Sequence, residues 1–277
     1  MKRNLIIIAI FCALLLTFTT IASASGEMEE AGTRLPIVMY HHLSEKPRLL
    51  NQHVLGVWEF ENDLKYLRDK GYESISLGEL LAWYEGNFEM PERPVLITFD
   101  DGFESTGVYA VPLLEKYGFN AVVAIIGSVA DTYTQNPDHM LDYSYLSWEA
   151  IRELAEGGTV EIQCHTDNLH KYDARHGAAM KKGESLEDYR ALLTADLNLC
   201  MEKAAANGVP MLKTLAYPYG SFSGETMEII RGLGFKAGFT CDEQVNVLSG
   251  NSAELFRLHR FNRPSGISSE SFFERWN

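Results

Sequence analysis

An apolar run, Val95-Leu96-Ile97-Thr98-Phe99, ends in two adjacent carboxylates and a glycine, Asp100-Asp101-Gly102. Successive side chains of a strand point to opposite faces, so neighbouring aspartates can serve one site only where the strand ends and the backbone bends. Gly102 supplies that bend, because glycine tolerates backbone angles that other residues resist. One carboxylate can then hold a cation while the other handles a proton. Downstream, a second apolar run, Val160-Glu161-Ile162-Gln163-Cys164, leads into His165-Thr166-Asp167-Asn168-Leu169-His170, with two imidazoles five residues apart. An aspartate with two histidines is a ligand set for a catalytic divalent metal that keeps open coordination positions. That combination points to hydrolysis.

Side chains so far apart in the chain need a scaffold that brings them together. The small, polar stretch 25–34 reads as a lead, and residues 35–40 as a first strand ending at His41-His42. Trp58, Phe60, Leu64 and Leu67 recur at near-helical spacing before Gly71. Ser76 with Glu79 has the form of a capping box opening a second helix, and Pro91 and Pro94 break the chain before the aspartate-bearing strand. The pattern then alternates. A helix over 107–117 is closed by Gly118, a strand covers 121–126, and a helix capped by Ser147 stops at Gly157-Gly158. After the strand at 160–164, Ser185 and Asp188 open a long amphipathic helix carrying Leu186, Tyr189, Leu193, Leu197 and Met201. A strand at 212–216, a helix at 226–233, a strand at 236–240 and an apolar segment at 255–261 complete the chain. Strands separated by helices imply parallel pairing with right-handed crossovers, so an α/β barrel or an open doubly wound sheet. In both, the working loops lie at the carboxyl ends of the strands. Asp100-Asp101, the histidine segment 165–170 and Tyr217-Pro218-Tyr219-Gly220 all fall there.

Composition bounds the setting. Lys2 and Arg3, the apolar stretch 5–16 and Ala22-Ser23-Ala24 read residues 1–24 as a secretory signal peptide. The apolar stretch runs on weakly to Ile21, so retention as a membrane anchor stays open. In either case the remainder works outside the cytoplasm, secreted or at the extracytoplasmic surface. The formal net charge of −14 becomes −16 without Lys2 and Arg3. Such an acidic surface argues against nucleic acid or anionic lipid as the partner and favours a neutral or cationic ligand. Cys12 falls in the signal, and Cys164, Cys200 and Cys241 are too few for a disulfide framework in a chain long enough to bury its own core. Free buried thiols and a single bridge are both compatible with the sequence. The expected organisation is one catalytic domain over 94–277, preceded by an N-terminal extension over 25–93 with the first strand and helices.

Taken together, Thr98-Phe99-Asp100-Asp101-Gly102, the segment from His165 to His170 and Tyr217-Pro218-Tyr219-Gly220 resemble the motifs of polysaccharide deacetylases with a NodB homology domain, the carbohydrate esterase family 4. The likeness runs from about Pro94 to the C-terminus. The opening Pro36-Ile37-Val38-Met39-Tyr40-His41-His42 is similar to the subgroup that deacetylates poly-N-acetylglucosamine of biofilms. The resemblance implies an α/β fold of the distorted, incomplete (β/α) barrel type. It implies Asp101, His165 and His170 as a metal triad for zinc or another divalent ion, and Asp100 as catalytic base. It places the backbone N–H of Tyr219, beside Pro218, at the oxyanion. It also implies a late histidine, here His259, as the acid that protonates the leaving amine, with Asp100 returning its proton as the alternative. The expected substrate is an N-acetylated polysaccharide (poly-N-acetylglucosamine, a chitin oligomer or peptidoglycan), deacetylated by a monomer to give acetate and a free amine.

The chain departs from the family pattern at Ala216, where many members carry an arginine that orients the base. A base still needs a cationic or hydrogen-bonding neighbour to set its pKa, and Arg260 and Arg263 are the candidates. His41 and His42 are read as cleft-lining or backbone-bonded rather than catalytic. Tyr143, Tyr145 and Trp148 either stack on sugar rings or pack a core, and Asp167 caps its own turn. Two other functions fit the same residues: hydrolysis of another non-peptide C–N bond in a small molecule, which would want a closed pocket, and non-catalytic carbohydrate binding, which would not need Asp100. A glycosidase pair of Asp100 and Asp101 is disfavoured, since sequence neighbours rarely sit across a sugar at the required separation.

Overall fold

The computed structural model describes residues 32–172 and 175–276; the expected signal peptide at 1–24 and most of the polar lead lie outside them. Among the described residues no helix is long and apolar enough to cross a membrane. The core is an eight-stranded parallel sheet: β1 (Ile37–Tyr40), β2 (Glu73–Ser74), β3 (Pro94–Phe99), β4 (Ala121–Ile125), β5 (Val160–Cys164), β6 (Met211–Ala216), β7 (Ala237–Phe239) and β8 (Phe261–Asn262). Their order is β7-β6-β5-β4-β3-β1-β8, with β2 beside the first half of β3. Every residue of β1, β3, β4 and β7 is buried. Strands buried on both faces read as continuous apolar runs, which is why Val95 to Phe99 shows no alternation. Residues before Pro94 contribute β1 and β2 to this sheet, and β1 pairs with β3 from Ile37↔Leu96 to Tyr40↔Phe99.

The sheet curls until its ends meet. Just before β8, the Leu258 N–H donates to the Gly238 carbonyl, and the Thr240 N–H donates to that of Leu258. Phe261 and Asn262 then pair with Val38 and Met39. The 255–261 segment is therefore not one strand but a 3₁₀ turn, Glu254–Arg257, followed by this thin seam. The result is the distorted, incomplete (β/α) barrel that the resemblance implies.

Helices α1 (Val57–Asp69), α2 (Leu77–Tyr84), α3 (Val111–Tyr117), α4 (Gly127–Gln135), α5 (Trp148–Gly157), α6 (Leu186–Ala206), α7 (Gly224–Gly232) and α8 (Ser269–Phe273) cover the sheet. Ser76, Ser147 and Ser185 each cap a helix through the side chain, and Glu79 closes the capping box. Two stripes differ from expectation. Trp58 and Leu186 open their helices but are exposed (45% and 44%), whereas the other stripe residues Phe60, Leu64 and Leu67 on α1 and Tyr189, Leu193 and Leu197 on α6 are buried and Met201 is partly so. The expected helix over 107–117 begins instead with a π-helical turn, Thr106–Ala110, whose wider ring leads into α3.

Candidate metal centre and catalytic cleft

Among the described residues, three non-glycine positions adopt the left-handed backbone: Asp101 (φ 73°), Thr166 (φ 70°) and Tyr219 (φ 58°). One lies in each of the three motifs, directly after β3, β5 and β6. Such conformations cost of order 1–3 kcal/mol each and persist only where the surroundings over-determine them. At the first motif, Gly102 (φ 78°) follows Asp101 and completes the bend expected from sequence. Leu146 N–H donates to the Gly102 carbonyl and Glu104 N–H to that of Ser144, so the loop before α5 lies against the bend. Tyr145 thereby stacks on Phe103, with ring centroids 4.3 Å apart.

The bends aim Asp101, His165 and His170 at one point. Asp101 Oδ1 lies 3.4 Å from His165 Nε2 and 3.3 Å from His170 Nε2, and the three ligand atoms all fall within 4.8 Å of one another. That carboxylate oxygen is buried and accepts no hydrogen bond. His165 Nδ1 sits 2.8 Å from the Ala216 carbonyl, which can only accept. Nδ1 therefore carries a proton, and Nε2 is the ring nitrogen that faces Asp101. His170 Nδ1 is 3.4 Å from the Tyr219 hydroxyl. An orphaned buried oxygen between two imidazole nitrogens is a donor set that a divalent cation of the zinc type satisfies, with room for further ligands.

Asp100 points to a different partner. Arg260 grips it in a fork, Nη1 to Oδ1 at 2.7 Å and Nη2 to Oδ2 at 2.8 Å, while Arg260 Nε donates to the Thr240 carbonyl. Both side chains are buried. Burial pushes the Asp100 carboxyl up, but the Arg260 guanidinium, helped by His165, outweighs it and holds the group well below the ordinary carboxylate range. Of the two candidate arginines, Arg260 is thus the one beside Asp100. Arg263 is not: it forks onto Asp63, which also accepts from the Tyr40 hydroxyl, and ties α1 to the seam.

Asp100, Asp101, His165, His170 and Tyr219 line one cleft of about 730 Å³ with His41, His42, His53, Tyr133, Tyr143, Tyr145 and Cys241. Tyr143 and Tyr219 stand at its mouth, half-exposed. Trp148 belongs to the core instead, donating its indole N–H to Asp131. Pro218 is buried and opens the turn that carries Tyr219. Cys164, Cys200 and Cys241 are free thiols.

His259 is not brought to this cleft. Its Nδ1 faces Thr240 Oγ1 at 3.4 Å and Asp242 at 3.8 Å. The reason is alternation along an extended segment: Leu258 and Arg260 turn inward, so the residue between them turns away. Asp167 also differs from expectation, because its carboxylate meets Lys203 Nζ at 2.6 Å, while Asp196 accepts the backbone N–H groups of the turn. His53 and Asp196 were not singled out from sequence. Nothing local marks His53. Asp196 carried one signal, a charge beside the apolar stripe of α6.

Known proteins bear on this geometry. A family model described as polysaccharide deacetylase matches residues 88–238. The chain is 28% identical over 220 residues to the poly-beta-1,6-N-acetyl-D-glucosamine N-deacetylase of Staphylococcus aureus (strain MSSA476), spanning 79% of this chain and 70% of that protein. Among solved structures, IcaB from Ammonifex degensii superposes with a TM-score of 0.69 at 26% identity, covering 88% of this chain and 96% of that one. The de-N-acetylase of Aggregatibacter actinomycetemcomitans shares the fold, with a TM-score of 0.73 at 22% identity, covering 88% of this chain and 100% of that one. The matched span takes in more than half of the chain and both the aspartate and histidine motifs: the chain belongs to the polysaccharide deacetylase family, hydrolases of non-peptide carbon–nitrogen bonds.

Proposed function

We propose that this protein removes N-acetyl groups from poly-N-acetylglucosamine outside the cytoplasm, as a monomer, with a divalent cation, zinc by preference, held by Asp101, His165 and His170. The observation that carries this reading is the orphaned Asp101 oxygen between two imidazole nitrogens, with a second, arginine-clamped carboxylate in the same cleft. Bound there, a divalent cation supplies Lewis acidity toward the acetamide carbonyl oxygen and the attacking water. Asp100 takes the proton of that water, kept ionised and fixed in direction by the Arg260 fork. The Tyr219 N–H, turned by its left-handed backbone, donates toward the developing oxyanion. Asp100 then returns the proton to the departing amine, because His259 lies outside the cleft. Tyr143 and Tyr219 offer aromatic rings to sugars, and their exposure at the mouth suits a polymer better than an enclosed small amide; Tyr145, stacked on Phe103, lines the cleft below them.

The test is acetate release from poly-N-acetylglucosamine, chitin oligomers and peptidoglycan, with and without chelator. The expected outcome is release from the first, abolished by chelation and restored by zinc. Asp100→Asn is expected to lose about 10²–10⁴-fold in rate while binding zinc as the wild type does. Chelator-insensitive release, or release from peptidoglycan alone, would overturn the reading.

A further inference from the structure

The turn between the two ligand histidines is held from outside the cleft. Its backbone is strained at Thr166, a β-branched residue with φ 70°. Such a residue rarely occupies that region. Contacts within the turn and from α4 and α6 restrain it. Leu169 N–H donates to Thr166 Oγ1, and the Thr166 and Asp167 carbonyls accept from the N–H groups of Gly127 and Ser128 at the start of α4. From α6, Asp196 offers both carboxylate oxygens, Oδ1 to the Asp167 N–H and Oδ2 to the Asn168 N–H, each at 2.8 Å. Seven residues on, Lys203 Nζ bridges Asp167 Oδ1 and Asp131 Oδ2, both at 2.6 Å. Seven residues is two helical turns less about 20°, so Asp196 and Lys203 rise from one face of α6. The buried Leu193, Leu197, Cys200 and Ala204 anchor that face.

Simple stabilisation would not need this arrangement. The backbone bonds from α4 and α6 converge on the peptide units 166–167 and 167–168, between His165 and His170, and the Asp167 side chain is wedged so tightly that a Cβ at Gly127 would overlap it. The outer ring nitrogen of His165 is held by the Ala216 carbonyl at 2.8 Å, but that of His170 has only the long contact to the Tyr219 hydroxyl. Where His170 stands relative to His165 therefore depends on the turn between them.

We propose that Asp196 and Lys203 are positioning residues for the cation site: by clasping the 165–170 turn from α6 they hold the two histidines at ligating separation and so set how tightly a divalent ion binds. This inference rests on the metal-dependent reading above.

The experiment measures zinc binding to the metal-stripped protein by calorimetry and the absorption spectrum of the cobalt(II) form. It compares the wild type with Asp196→Asn, Lys203→Met, Asp101→Asn and Glu161→Gln. Glu161, near the start of β5, accepts the N–H groups of Leu77 and Gly78 at the start of α2, a similar clasp whose side-chain bonds go to α2 and not to the histidine turn. Expected are a 10–100-fold loss of zinc affinity in Asp196→Asn and in Lys203→Met, with altered cobalt spectra. Wild-type affinity is expected in Glu161→Gln and no binding in Asp101→Asn. Zinc affinity within twofold of wild type and an unchanged cobalt spectrum in Asp196→Asn and Lys203→Met would overturn the inference while leaving the metal reading intact. Equal weakening in Glu161→Gln would overturn it too, by showing general destabilisation. A wild-type protein that binds neither ion removes the metal reading, and this inference with it.

Discussion

Asp100 is an acid placed where burial alone would neutralise it, and one guanidinium decides its charge. Arg260→Gln removes the counter-charge and leaves burial as the leading influence, so the Asp100 carboxyl moves up. The sign follows directly. In the wild type the group is depressed, so its stabilising contribution holds above the ordinary carboxylate range and is lost only in strong acid. In the variant the group is raised, so the folded state loses stability as pH climbs through that range. The expected outcome is an acid limb of kcat/KM shifted to higher pH, with about 3–5 kcal/mol less stability near neutrality, read from pH–rate profiles and urea unfolding. An unmoved acid limb would remove Arg260 from control of the base. The aspartates and histidines were legible in the sequence because each motif is local, a strand followed by a bend. Arg260 was legible only as one of two candidates, since a fork closing across 160 residues leaves no spacing to read. His259 misled because its neighbours, not its own type, decide which way it faces.

Strand ends do most of the positioning. Capping serines and apolar runs marked β3 to β6 and their helices, because buried parallel strands and N-caps are written in contiguous residues. The π-helical entry to α3 and the two-residue β8 were not legible: the first leaves no distinctive spacing, and the second is set by closure of the sheet rather than by propensity. The third motif depends on one such closure contact. Tyr217 lies buried at the end of β6, and its hydroxyl donates to the Phe256 carbonyl. A Cβ at Gly238 on β7 would overlap that hydroxyl. Gly238→Ala is therefore expected to cost about 1–3 kcal/mol through overpacking and to lower kcat by disturbing the turn at Tyr219. Denaturant midpoints and steady-state kinetics check both parts. Unchanged values would mean that β6 and β7 separate freely there.

The fold class was legible as alternating strands and helices, but barrel and open sheet could be separated only by the seam between Leu258 and Asn262. Across the whole molecule, the cation site and the folded state are linked, because the ligands come from β3 and β5 and meet only after folding. Zinc at 100 times its Kd is expected to stabilise by about 2.7 kcal/mol. For a chain of this size that corresponds to roughly 5–11 °C in Tm. Differential scanning fluorimetry should show the rise in the wild type and none in Asp101→Asn; an equal rise in both would place the ion elsewhere. The Arg260 fork has a further consequence in time. Translation delivers the base 160 residues ahead of its counter-ion, a delay of roughly 8–32 s at about 5–20 residues per second. Through that interval the nascent polypeptide holds a carboxylate that no completed cleft can yet shelter. A chain clipped or stalled before residue 260 lacks the guanidinium that fixes the direction of Asp100, however well its earlier motifs have formed.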